Sequence, residues 1–292
     1  MRTRLGAALL LFLLLAGCQK VIYTPPAPPQ VPTPRPLATH PPAIGGGSSR
    51  SEPTSDQTPA AGGPITIPPT PAPALTLAPA TNAPSATTVA LTRPGGAPLV
   101  YVAIGASETV GVGATDPPRD GWVPQLTQLL GPETRLRNLG VSGTLLSAAL
   151  QDQLPAAIQE QPDLVTVWLA VNDLNARVPL DRYGADLDTL LASLARQTSA
   201  RILVGNVPDL AQMPAARGID PVPLRAELAR WNVVIAQVAG RHGAVVVDLY
   251  AGYAELGRHP EDLAEDGFHP STAGYARVGE MFYAAARLVL PG

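Results

Sequence analysis

The chain has 292 residues, 46% hydrophobic and only 15% charged, with 20 Lys and Arg against 23 Asp and Glu for a formal net charge of −3. No basic cluster appears, so nucleic acid is not an expected partner. Cys18 is the only cysteine, which excludes an intrachain disulfide.

In chain order, Arg2 and Arg4 precede 13 apolar residues from Leu5 to Gly17. This is a signal-peptide profile, too short for a membrane span of about 20 residues. The boundary Leu15-Ala16-Gly17-Cys18 resembles a bacterial lipobox. That resemblance implies an acylated Cys18 at the mature N-terminus. Residues 1–18 are therefore expected to be a lipoprotein signal, with the membrane as a partner through the lipid anchor and an extracytoplasmic location. Composition changes over residues 19–97. Between Thr24 and Pro98 lie 20 of the 34 prolines but only five charged residues. Such a segment cannot bury enough apolar surface to offset its ordering entropy, and it reads as a disordered, polyproline-leaning tether. Residues 98–292 are enough for one well-buried domain.

Within that domain, Leu99 to Ile104 is a continuous apolar run closed by Gly105 and followed by Ala106-Ser107. Thr134 to Leu139 alternates and carries two Arg, as a partly exposed edge strand would. Leu164–Ala170, Ile202–Val204 and Ala244–Val247 are further apolar runs, and runs apolar on both faces suit a parallel sheet covered on both sides. Helical stripes separate them: Leu187, Leu190, Leu191 and Leu194; then Leu224, Leu228, Trp231, Ile235 and Val238; then Val278, Met281, Phe282, Ala285 and Leu288, in a last helix capped by Ser271 or Thr272. Trp231 reads as packing. Five strands alternating with helices predict an α/β fold of three layers, a flavodoxin-like parallel sheet of order 2-1-3-4-5 with helices on both faces.

Ligands in open parallel sheets bind beyond the carboxyl ends of the strands, where the winding reverses. Ser107 follows the first strand there, Gly140 the second and Asn172 the third. Asp266 and His269 lie in a loop after the fifth. A serine hydroxyl needs a base, an imidazole titrates near neutral pH, and a carboxylate can fix its tautomer. Ser107, His269 and Asp266 are the candidate nucleophile, base and orienting acid. The backbone N–H groups of Ser107 and Gly140 and the amide of Asn172 are candidate oxyanion donors.

Ser107, Gly140, Asn172 and His269 stand in the order and contexts of the SGNH (GDSL-type) hydrolase family, and Asp266-Gly267-Phe268-His269-Pro270 precedes the last helix as in that family. The chain resembles it over nearly all of 98–292. The resemblance implies an ester hydrolase, whether esterase, lipase, thioesterase or carbohydrate O-acylesterase, with no cofactor and no metal. In it the matched residues are nucleophile, two oxyanion donors and base, and the Asp before the His completes the triad. Two positions depart from the family pattern. Ala106 stands where Asp usually precedes the Ser, which bears on support of the nucleophile loop. Ala170 stands where Gly is usual two residues before the Asn, which adds a methyl near the oxyanion site.

A dinucleotide-binding domain is excluded by the spacing of Gly105, Gly111 and Gly113 and by Asn138 where an acidic ribose ligand would stand. No G-x-S-x-G surrounds Ser107. Asp173, Asp209 and Asp248 read as structural, His259 as a decoy and His242 as a residue without chemistry. The expectation is an extracytoplasmic serine esterase acting on short-acyl or carbohydrate O-acyl esters, its substrate a small molecule or a glycan. The rival is an SGNH fold that only binds ligands at the cell surface.

Overall fold

The structure is a computed structural model describing residues 97–290. The expected signal segment with Cys18, and all but the last residue of the expected tether, lie outside the described residues.

The elements run β1 Val100–Gly105, α1 Ser107–Val110, α2 Pro117–Asp120, α3 Trp122–Leu130, β2 Arg135–Asn138, α4 Leu146–Gln159, β3 Leu164–Trp168, α5 Val171–Asn175, α6 Leu180–Gln197, β4 Arg201–Gly205, α7 Pro221–Arg241, β5 Val245–Val247, α8 Leu249–Leu256 and α9 Thr272–Val289. Short 3-10 turns occupy Leu210–Gln212, Pro214–Ala216 and Pro260–Asp262. The sheet is parallel throughout, in the expected order β2-β1-β3-β4-β5.

The side-chain period of two in a strand divides the core into two halves. Val102, Ile104, Val165, Val167, Ile202 and Val204 face α4, α6 and α7, where Leu187, Leu191, Leu228, Trp231 and Ile235 close over them. Tyr101, Ala103, Leu164, Trp168 and Leu203 face α3, α8 and α9. On that side Trp122 stacks on Phe282 with centroids 4.2 Å apart and meets Trp168 edge-on at 5.9 Å. All four residues of β2 are exposed, as its edge position and its two Arg require.

Helix starts follow capping chemistry. Asp220 accepts from the Val222 N–H ahead of α7 with Pro221 at the first position, and Ser271 accepts from the Gly274 N–H ahead of α9. Two expectations need correction. Leu288 is 70% exposed rather than core, because the buried stripe of α9 passes through Phe282, Ala286 and the following Leu290. The third strand stops at Trp168, short of Ala170, because Ala170 leaves extended geometry at φ 94°. Among the described residues, no helix is long and apolar enough to cross a membrane.

Candidate active site

β1 ends where a side chain would not fit. A Cβ on Gly105 would lie 1.9 Å from Thr109 Oγ1 and 2.8 Å from the Trp168 carbonyl. The chain turns at Ala106 and enters α1 with Ser107 as its first residue, 4% exposed. At that position the Ser107 N–H has no acceptor within the helix. The turn is held from below by Gln153 of α4, 3% exposed. Its Oε1 accepts from the Gly105 N–H at 2.9 Å and its Nε2 donates to the Gly105 carbonyl at 3.0 Å. Sequence reasoning missed Gln153. The available signal was its place on the apolar stripe Leu146, Ala149, Gln153, Ala157, where a polar side chain needs a partner.

The loop after α8 brings the imidazole to the serine. Asp266 Oδ1 accepts from the Phe268 and His269 N–H groups, each at 2.9 Å, and Gly267 takes φ 64° to close the turn. Asp266 Oδ2 lies 2.6 Å from His269 Nδ1, and His269 Nε2 lies 3.0 Å from Ser107 Oγ. Asp266 is thus both a turn former and the ring's partner. The contact assigns the proton to Nδ1 and leaves Nε2 free to accept from the hydroxyl. Phe268 braces the ring edge-on at 4.9 Å. Burial pulls the His269 pKa down, but the bond to Asp266 and the charge of Glu108 outweigh it, and the net is a rise above 6.5. For Asp266, burial pushes the pKa up, and the bonds from His269 and the Phe268 and His269 amides bring it below 3.8.

The three candidate oxyanion donors reach the same rim in different states. Asn172 donates one amide hydrogen to the Thr144 carbonyl at 3.0 Å, and an amide nitrogen carries a second. The Gly140 N–H is occupied: it donates to Asn138 Oδ1 at 2.9 Å, while Asn138 Nδ2 donates to the Thr109 carbonyl at 2.7 Å. A Cβ at Gly140 would stand 2.9 Å from Thr109 Cγ2, so glycine is what lets β2's end lie against α1. Ala170, fully buried, holds φ 94° at the N-terminus of α5. Asp173, 2% exposed, accepts from the Leu146 N–H at 3.0 Å and ties α5 to α4.

The other polar candidates lie elsewhere. Asp209 pairs with Arg225, Asp248 accepts from Asn206, His259 meets Glu261 and His242 meets Asp188. Among the described residues no group of three or more His, Cys, Asp or Glu gathers as a metal site. A cavity of about 350 Å³, walled by Leu174, Met213, Leu224, Trp231 and Phe268, opens beside the His269 loop.

A parallel 2-1-3-4-5 sheet with hydroxyl, imidazole and carboxylate in a row at its carboxyl rim is the arrangement expected of an SGNH-class hydrolase. The profile of the GDSL-like lipase/acylhydrolase family matches residues 103–277, more than half of the chain, and this protein belongs to that family of ester hydrolases. Solved structures share the fold. A lipase/acylhydrolase from Enterococcus faecalis is 20% identical with a TM-score of 0.55, covering 66% of this chain and 97% of its own. A catalytic mutant of Axe2, an acetylxylan esterase from Geobacillus stearothermophilus, is 22% identical with a TM-score of 0.53, covering 64% and 93%. TesA is 22% identical with a TM-score of 0.55, covering 65% and 99%. No curated protein matches the chain in sequence.

Proposed function

We propose that this protein is a serine esterase that hydrolyses carboxylic esters through an acyl-enzyme on Ser107, with His269 as the base and Asp266 as its orienting carboxylate. The observation carrying the reading is the unbroken row from Asp266 through His269 to Ser107, with contacts of 2.6 Å and 3.0 Å. His269 takes the hydroxyl proton as Ser107 Oγ attacks the carbonyl carbon, and returns it to the leaving alcohol; water then repeats the sequence on the acyl-enzyme. The Ser107 N–H and the second amide hydrogen of Asn172 receive the oxyanion. Gly140 joins them once its N–H turns from Asn138 or is shared with it.

Short-acyl or carbohydrate O-acyl esters are the first substrate reading, and the acetylxylan esterases among the fold neighbours support it. A second reading draws on the apolar cavity of about 350 Å³ beside Phe268. It has room for roughly ten groups the size of a water molecule and favours acyl chains longer than acetyl. Rates on p-nitrophenyl esters from acetyl to decanoyl, with acetylated xylan alongside, separate the two. Ser107→Ala is expected to abolish hydrolysis with folding intact. Equal release by wild type and mutant would instead favour the surface binding module. The extracytoplasmic, lipid-anchored location belongs to the same proposal. It rests on Cys18 and its apolar leader, and it requires that Cys18→Ala block incorporation of labelled palmitate.

A further inference from the structure

The acyl-transfer reading leaves one buried carboxylate beside the nucleophile without a task. Glu108 follows Ser107 in α1 and is 7% exposed, and its Oε2 accepts from Ser107 Oγ at 3.1 Å. His269 Nε2 stands 3.0 Å from the same oxygen. A serine hydroxyl has one hydrogen and cannot make both bonds at full strength. When His269 is neutral, the hydrogen is shared between the ring nitrogen and the carboxylate. When His269 is charged, its Nε2–H donates to Oγ, the hydroxyl donates to Glu108, and each member of the row Asp266, His269, Ser107, Glu108 has a partner.

The groups packed around this row do not compete with it. Burial lifts the phenols of Tyr253 on α8 and Tyr275 on α9 well above their ordinary range, so both stay neutral beside Glu108. The Tyr275 hydroxyl is spent on the Val112 carbonyl at 2.6 Å. On the loop of His269 itself the charged neighbour is Asp266, and from α1 it is Glu108.

We propose that Glu108 is a second carboxylate of the catalytic machinery, at the end of the row opposite Asp266: it holds the Ser107 hydroxyl at rest and stabilises the His269 imidazolium during acyl transfer. The proposal rests on the serine-esterase reading. As Oγ bonds to the carbonyl carbon, the Oγ–H bond breaks, the hydrogen gives up its hydrogen bond to Glu108 and passes to Nε2, and the carbonyl electron pair moves onto oxygen. When the intermediate collapses, the bond to the alcohol oxygen breaks and the Nε2 proton goes to that oxygen, giving free alcohol and acyl-Ser107. Through these steps the imidazolium stands near two carboxylates rather than one. The same charge adds to that of Asp266 in holding the proton on His269 to a higher pH, so Glu108 shares in setting where activity fails in acid.

The test uses the full chain as wild type, Glu108→Gln and Glu108→Asp. Gln is isosteric with Glu and keeps the packing; Glu108→Ser, a second uncharged variant, serves should Gln fail to fold. In profiles of kcat/KM against pH on p-nitrophenyl acetate or butyrate, removing the charge is expected to move the midpoint of the acid limb down by roughly one pH unit. It should lower the plateau by at most about tenfold. Glu108→Asp is expected to keep the wild-type midpoint. A residue that only packed would lower the plateau and leave the midpoint in place, and an unmoved midpoint overturns the proposal. NMR titration of the His269 imidazole reads the same shift without turnover. A lowered His269 titration in a protein that hydrolyses nothing removes the esterase reading and with it any catalytic role for Glu108. Active wild type with neither midpoint nor titration moved removes the Glu108 proposal alone.

Discussion

Replacing Asp173 by Asn should stabilise this protein at neutral pH and cost it about 1 kcal/mol in acid. Asp173 is 2% exposed and its Oδ2 accepts from the Leu146 N–H at 3.0 Å. Burial pushes its pKa up to about 6 from 3.8; the Leu146 bond opposes the rise and the charge of Asp186 adds to it. The folded state therefore binds this proton more tightly than the unfolded state does. Stability from this group is fully present below about pH 4 and is lost as pH climbs from there through about 6, above which it stays level. A rise of that size corresponds to about 3 kcal/mol. Asn keeps an oxygen for the Leu146 N–H and never ionises. Its new amide hydrogens, if unpaired in so buried a place, cost about 1 kcal/mol. The net gain at pH 7.5 is about 2 kcal/mol, or roughly 4 to 8 °C in Tm for a domain of this size. Urea melts of wild type and variant at pH 4 and pH 7.5 measure it. A stability difference that is the same at both pH values would refute the account, whatever its sign.

Two further changes test how the site is supported. Gln153→Leu removes the amide that clamps the turn before Ser107, leaving the Gly105 N–H without its side-chain partner and the Gly105 carbonyl with the Val141 N–H, so the protein should lose about 1 to 3 kcal/mol in urea titrations. Its kcat should fall more than its KM rises; unchanged kcat would show that the clamp does not position Ser107. Arg277→Ala strips the counter-charge that lies 2.6 Å from Asp262, a carboxylate 1% exposed at the root of the Asp266–His269 loop. Because Arg277 is itself half exposed, the expected loss is about 2 kcal/mol, below the usual range for a buried pair. Asp262→Asn should restore part of it in the double variant, and absence of any coupling between the two sites would count against the pairing.

The fold was legible because a parallel sheet buried on both faces leaves an unmistakable mark. Val100 to Gly105 and Leu164 to Trp168 are buried throughout, and the one strand with alternating arginines is the exposed edge. His269 and Asp266 were legible because three residues of loop suffice to bring a ring and a carboxylate together, and Ser107 because it follows the first strand. What stayed hidden depends on contacts across long stretches of chain. Gln153 reaches Gly105 over 48 residues, and nothing local in Leu146 to Gln159 says which backbone it will meet. The occupied state of Gly140 is hidden for the same reason: the Asn138 side chain bridges the Gly140 amide and the Thr109 carbonyl, and nothing in the run Asn138-Leu139-Gly140 marks a partner 29 residues away. Glu108 could not be placed either, since a four-residue helix has no periodicity from which to tell its inward face.

The two departures from the family pattern have different physical consequences. At position 106 the family's usual carboxylate is replaced by an alanine, and the turn before Ser107 is held from another direction: an amide from α4 bonds both the N–H and the carbonyl of the residue just before position 106. Ala106 itself is 4% exposed and packs in the apolar half of the core facing α4, so an ionised side chain there would need a partner of its own. At position 170 no substitute is available, because the requirement is on the backbone. Ala170 holds φ 94° and ψ −45°, where a Cβ is strained by about 1 to 3 kcal/mol, and full burial keeps it there. The strain sits two residues before Asn172 and three before Asp173, on the turn that carries the proposed oxyanion donor and anchors α5 to α4. The first departure has therefore been absorbed by a side chain elsewhere, whereas the second is carried as stored strain at the rim where the chemistry is proposed to occur.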